Sequence, residues 1–236
     1  VSELSQSAVP RAVISRTSLA SGAVKAVAAA PRGGVADLRR DAWGHGLIMV
    51  AQALRAAGAA GALVDSEADV ALLREHGLHA ATTGEPDLDP HLLYGLPDAQ
   101  GVLRADPVMR VTGRVLSTKP IAAGGGVSYG YTHRASEDST LALVVGGYAQ
   151  GIVRALGNHA HVDIHGVRMP IVGRIAMDVC VVDVGDTEVA PGDVATYFGG
   201  WGSTRTELAL WSEIAGLTVA ELVSVVGQKC VREEED

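Results

Sequence analysis

Val35-Ala36-Asp37-Leu38-Arg39-Arg40-Asp41-Ala42-Trp43-Gly44-His45-Gly46-Leu47 is a short apolar run, a polar turn punctuated by glycine, and the first residue of a helical repeat. Val35 to Leu38 reads as a strand and Leu47 to Ala57, closed by Gly58, as a helix, because the apolar residues change from a continuous run to a period near 3.6. The same order extends in both directions. Upstream, Ala12-Val13-Ile14 reads as a strand and Thr17 to Ala29 as a helix. Downstream come a strand at Gly61 to Val64, a helix at Glu67 to His76 closed by Gly77, a strand at Leu78 to Thr82, and one more strand at His91-Leu92-Leu93-Tyr94-Gly95. Such alternation predicts parallel strands with helices outside them.

Leu96 to Asp106, rich in Pro, Asp and Gly, reads as a linker, and beyond Pro107 the texture changes. Val108 to Leu116, Val127 to His133, Leu141 to Gly146, Ala160 to Ile164, Arg168 to Val172, Asp178 to Val184 and Val194 to Phe198 are β-branched runs between Gly and Pro turns, which predicts a β domain. His165-Gly166 is a hairpin signal. From Glu207 the pattern turns helical, with Thr218-Val219-Ala220-Glu221 as a capping box, and Glu233-Glu234-Glu235-Asp236 reads as a solvated fray. The fold class is therefore α/β plus all-β, with domains at 1–105 and 106–236.

The chain has 236 residues, 47% of them hydrophobic, enough to bury one sizeable core or two modest ones. A net charge of -8 with no dense Lys/Arg patch excludes nucleic acid and anionic membrane surfaces as partners. Cys180 and Cys230 lack metal-type spacing and suit free thiols in a reducing compartment. No run approaches the ~20 apolar residues of a membrane span, and Val1 to Pro10 lacks the order of a signal peptide, so the expected location is the cytoplasm. His159, His161, Asp163 and His165 alternate with apolar residues, placing four polar side chains on one face of a strand. Side chains two apart stand roughly 6 to 7 Å from each other. That spacing suits a solvated sheet face better than a metal, and no metal site is expected.

Gly126-Val127-Ser128-Tyr129-Gly130, Gly147-Tyr148-Ala149, Pro170-Ile171-Val172-Gly173-Arg174-Ile175-Ala176-Met177-Asp178 and Ser212-Glu213-Ile214-Ala215-Gly216 together resemble the C-terminal domain of alanine racemase, in order and spacing. Leu38 to Gly46 resembles the segment of that family carrying the lysine that binds pyridoxal phosphate. The resemblance implies a TIM-type βα barrel before the β domain, pyridoxal phosphate as cofactor, and interconversion of L- and D-alanine. It also implies two bases on opposite faces of the substrate, a lysine and a tyrosine. The tyrosine corresponds to Tyr129. Met177 corresponds to a residue near the substrate carboxylate, and Arg174, Tyr148 and Arg154 to residues lining the approach.

The departures from the family carry as much weight. Arg39 stands where the cofactor lysine belongs, and a guanidinium that stays protonated serves neither as imine nitrogen nor as base. The chain has only three lysines, Lys25, Lys119 and Lys229, none of them predicted at a barrel-strand end. Trp43 replaces a phosphate-contacting tyrosine, Gln228 a second late tyrosine, and Gln150 an aspartate. Asp89 and His91 fall at cofactor-side positions of the family's last barrel strand, Asp89 in place of an arginine. Only about 90 residues precede that strand, whereas an eight-stranded barrel needs roughly 200 to 250. The barrel is thus expected to be incomplete and covalent cofactor binding to be lost. Three functions follow as expectations: a family member with little or no activity alone, in a homodimer; a subunit donating Tyr129 to an intact racemase in a mixed dimer; or a non-catalytic module that binds a small amino acid.

Overall fold

Ser and Asp at helix starts and left-handed glycines at helix ends set most element boundaries in the first half of the chain. The computed structural model describes residues 9–236; the expectation about a leader within residues 1–10 rests mostly on residues outside it. Strand β1 (Arg11–Ser15) runs directly into helix α1 (Arg16–Ala29), whose first turn is capped by Ser15 Oγ accepting from the Ser18 amide. Then follow β2 (Val35–Asp37), helix α2 (Leu47–Ala56), β3 (Gly61–Leu63), helix α3 (Glu67–Glu75) with Ser66 as its cap, and β4 (Ala80–Ala81). Strands β2, β3 and β4 form a three-stranded parallel sheet in sequential order.

The run at His91 to Gly95, expected as a strand, is instead the short helix α4 (Pro90–Leu93). Asp89 accepts from the His91 amide at 2.8 Å and Pro90 occupies the first turn. An Asp-Pro pair is a helix start, and that local chemistry prevails over the apolar run behind it.

The second half contains β5 (Met109–Ile121), β6 (Gly126–Val127), β7 (His133–Arg134), β8 (Ser139–Val145), β9 (His161–Ile164), β10 (Val167–Pro170), β11 (Val179–Asp183) and β12 (Val194–Phe198). Helices α5 (Glu207–Ala215) and α6 (Val219–Lys229) and strand β13 (Val231–Glu235) close it. The main sheet runs β10-β9-β12-β5-β1-β13, with β8 joining β5 to β11. The expected capping box at the start of α6 is present: Glu221 N–H donates to Thr218 Oγ1 and Thr218 N–H to Glu221 Oε2. The β9–β10 hairpin turns at His165-Gly166, both at positive φ (56° and 81°).

Four expectations about the sheets and their faces are corrected. First, β1 pairs antiparallel with β5 and parallel with β13, so it belongs to the β domain's sheet and not to the parallel one. Second, Glu233, Glu234 and Glu235 are in β13, not in a fray, because Arg11, Arg16 and Arg110 from β1, α1 and β5 pair with them one by one. Third, Val127 to His133 is not one strand. Ser128, Gly130 and Tyr131 all take positive φ (59°, 80° and 46°), which breaks the run into two short strands around a turn. Fourth, the polar residues around β9 form a solvated face only in part: His159 and His165 are exposed, but the other two are not free in solvent. Asp163 is buried and accepts from Ser203 N–H and Oγ–H, while His161 lies against the buried Glu207, which also accepts from Arg168 at 2.7 Å.

A continuous core links both halves, from Ala12, Ile14 and Leu54 through Tyr94 to Tyr197, Trp211 and Val226. The join is tightest where Gly44 meets Gly227 on α6: a Cβ on Gly44 would lie 2.7 Å from the Gly227 Cα, and one on Gly227 2.7 Å from the Gly44 carbonyl oxygen. No single helix among the described residues is long and apolar enough to cross a membrane.

Candidate functional site

Parallel βα sheets bind ligands beyond the carboxyl ends of their strands. A cleft with a volume of about 910 Å³ lies there, at the ends of β2 and β3. Its floor is Asp37, Arg39, Arg40 and Asp65; its far wall comes from α6 and from the loop carrying Tyr148.

The floor is shaped by an uncommon backbone. Arg40, Asp41, Ala42 and Trp43 take φ between 52° and 57°, a full turn of left-handed helix built from residues with side chains. Each such residue costs about 1–2 kcal/mol. Hydrogen bonds to three aspartates and within the turn's own backbone hold it. Asp37 accepts from the Arg39 amide at 3.1 Å, Asp65 from the Arg40 amide at 2.5 Å, and Asp41 from the Leu47 amide at 2.8 Å. Gly44 N–H closes the turn on the Arg40 carbonyl at 2.9 Å. Arg232 of β13 pairs with Asp41 from outside.

His45 anchors the turn from inside. Its Nδ1–H donates to the Ala42 carbonyl at 3.0 Å, which leaves Nε2 as a bare acceptor, and that atom is buried without a partner. The ring stacks on Tyr94 at 4.1 Å between centroids. Burial disfavours the imidazolium and lowers its pKa to about 4.

Arg39 is part of the floor and is paired with Asp37. Its Nε and Nη2 donate to the two oxygens of Asp37 at 2.8 and 2.6 Å, a bidentate pair. Burial alone would raise the Asp37 pKa, but the hydrogen bonds and charge of Arg39 outweigh it and hold the carboxyl below its ordinary value.

Trp43, Tyr148 and Gln228 also line this cleft. Arg154 does not line it but lies over the Tyr148 ring at 4.3 Å. A second group sits apart on the β domain. Tyr129 is 86% exposed at the tip of the β6–β7 turn and does not line the cleft. Ser128 Oγ–H donates to the Arg174 carbonyl at 2.6 Å, and a Cβ on Gly130 would stand 3.5 Å from the Arg174 guanidinium. Met177 is exposed, and its carbonyl accepts from the Ala149 amide at 3.0 Å, tying its loop to that of Tyr148. Gln150 spans the same loops, donating to Asp178 at 2.9 Å.

Asp89 and His91, expected on the cofactor side, are not at the cleft. Asp89 caps α4 and pairs with Arg104 at 2.5 Å, and His91 Nδ1 bonds the Leu96 carbonyl at 3.2 Å. Both are consumed by the turn that replaces the expected strand. Asp37 and Asp65 were not singled out from the sequence, although their places at the end of β2 and two residues past the end of β3 could have marked them. No group of His, Cys, Asp and Glu among the described residues is arranged to hold a metal.

Residues 108–234 match the family model described as alanine racemase, C-terminal domain. The chain belongs to the alanine racemase family. The alanine racemase of Salinispora arenicola is 41% identical over 155 residues, covering 63% of this chain and 42% of that protein. This chain thus spans about two-fifths of the length of the curated relatives it matches. Among solved structures, alanine racemase from D-cycloserine-producing Streptomyces lavendulae superposes with a TM-score of 0.80 at 19% identity, over 97% of each chain. That from Bartonella henselae, described with covalently bound pyridoxal phosphate, gives 0.74 at 18% identity over 97% of this chain and all of that one. The architecture is accordingly that of alanine racemases, a βα portion of barrel type followed by the β domain.

Proposed function

We propose that this chain is a degenerate alanine racemase that does not hold pyridoxal phosphate covalently and has little or no racemase activity by itself. The ion pair on the cleft floor carries this reading. Position 39, taken as the family's cofactor position, holds a guanidinium that Asp37 grips with both oxygens. Such a group neither adds to an aldehyde nor accepts a proton. No lysine is among the cleft's lining residues, and three carboxylates there, Asp37, Asp65 and Glu221, face two guanidiniums, Arg39 and Arg40. That balance leaves the cleft without a net positive charge to draw in a phosphate dianion. The residues present therefore do not fit covalent pyridoxal phosphate.

The exposure of Tyr129 favours a second, compatible reading, in which the chain lends this tyrosine to the intact barrel of a complete racemase in a mixed dimer. Arg174 and Met177 would then flank the lent phenol, and Tyr148 with Arg154 would line the approach. In both readings residues 1–105 descend from the family's barrel and 106–236 from its β domain, with β1 tying the two through its pairing with β5. The test is to assemble the chain with a complete racemase whose own tyrosine has been removed. Activity that returns with this chain and is lost with Tyr129→Phe supports lending; activity that never returns removes it.

A further inference from the structure

The bidentate pair on the cleft floor has a second member that the lysine-segment resemblance does not include. We propose that Asp37 is a charge lock that holds whatever cation stands at position 39 across the cleft floor, so that two residues, not one, bar this cleft from carbonyl-addition chemistry. This rests on reading position 39 as the family's cofactor position.

Asp37 receives three bonds from the one residue, from the Arg39 amide, Nε and Nη2. It is the last residue of β2, fixed by parallel pairing opposite Leu63, and its side chain is only 19% exposed, so the carboxylate cannot swing aside at low cost. An amine attacks an aldehyde only through a free lone pair: nitrogen bonds to the carbonyl carbon, C=N forms, and the oxygen leaves as water. An amine gripped by Asp37 would stay an ammonium without that lone pair. Asp65, on the same floor, acts in the same direction on the cation at position 39, and Glu221 and Arg40 are the other charged groups lining the cleft.

The experiment uses the full chain as Arg39→Lys and as Asp37→Asn with Arg39→Lys. Each is incubated with pyridoxal phosphate at pH 7.5 and reduced with borohydride, which delivers hydride to the imine carbon and fixes the adduct. Peptide mass spectrometry then scores labelling at position 39 against the exposed Lys119. The single variant is expected to label at least about fivefold less than the double one, with the gap narrowing only above about pH 10, the ordinary lysine range, as the gripped ammonium in turn loses its proton. Equal labelling of the two at pH 7.5, including equal absence, overturns the lock. If asparagine disturbs the turn by circular dichroism, Asp37→Ser with Arg39→Lys gives the same comparison. An adduct in the cleft of the unmutated protein would instead overturn the proposed function and leave the lock unaffected.

Discussion

His45 and the left-handed turn around it show how much local cost this chain retains at its cleft. Four residues at positive φ and a buried imidazole with a bare Nε2 are costs that surrounding contacts must offset. Because the His45 pKa falls to about 4 from an ordinary 6.5, the unfolded chain binds a proton between those values and the folded chain does not. His45 therefore contributes full stability above pH 6.5, and about 3 kcal/mol of it is lost as the pH falls from 6.5 to 4. Urea unfolding at pH 7 and pH 4.5 should show this loss, and His45→Phe should flatten the slope; an unchanged slope would contradict the assignment. Arg40 offers a second test, since it is exposed and only its amide bonds Asp65. Arg40→Gly should be about 1 kcal/mol more stable than Arg40→Ala, because glycine alone takes φ near 57° without a Cβ penalty. The turn was not legible in the sequence. Nothing about Arg-Asp-Ala-Trp marks a left-handed helix, which is imposed by Asp37, Asp65 and the docking of Gly44.

Among the elements, those with strong local chemistry were readable and those made by distant pairing were not. Helices α1, α2 and α3 and the capped start of α6 follow from periodicity, caps and terminal glycines, and the hairpin at His165-Gly166 from its turn residues. Strand β13 could not be read that way. A run of four acidic residues looks solvated until Arg11, Arg16 and Arg110 are brought opposite the first three by the fold. These pairs are partly exposed, so Glu→Gln at 233, 234 and 235 together should cost only about 1 kcal/mol, and less in high salt. The backbone pairing and the Arg232 clamp on Asp41 should matter more, and deleting residues 231–236 is expected to destabilise by several-fold that amount in the same urea assay. At the seam between the halves, Gly227→Ala would put a methyl 2.7 Å from the Gly44 carbonyl oxygen. It should cost about 1–3 kcal/mol as an overpacked contact, measurable as a lowered unfolding midpoint.

At the scale of the molecule, the parallel sheet has three described strands, too few to close into the eight-stranded barrel of the family. The sequence announced this by its spacing, and it announced the β domain through motifs that the family match covers at residues 108–234. It did not announce that β1 would leave the parallel sheet or that Asp89 and His91 would be spent on a helix cap and a loop, because both outcomes depend on which neighbours remain. The motif residues fall into two separate groups, Arg39, Trp43 and Tyr148 at the cleft and Tyr129, Arg174 and Met177 on the β domain's surface. Such a division suits a site completed between subunits, yet the cleft of this chain offers no amine. The most direct measurement is the absorption spectrum of the purified protein after incubation with excess pyridoxal phosphate and desalting, paired with an assay of alanine racemisation. The expected result is no Schiff-base band and no turnover above that of buffer. A stoichiometric band bleached by borohydride, with racemisation by the homogeneous chain, would contradict the account.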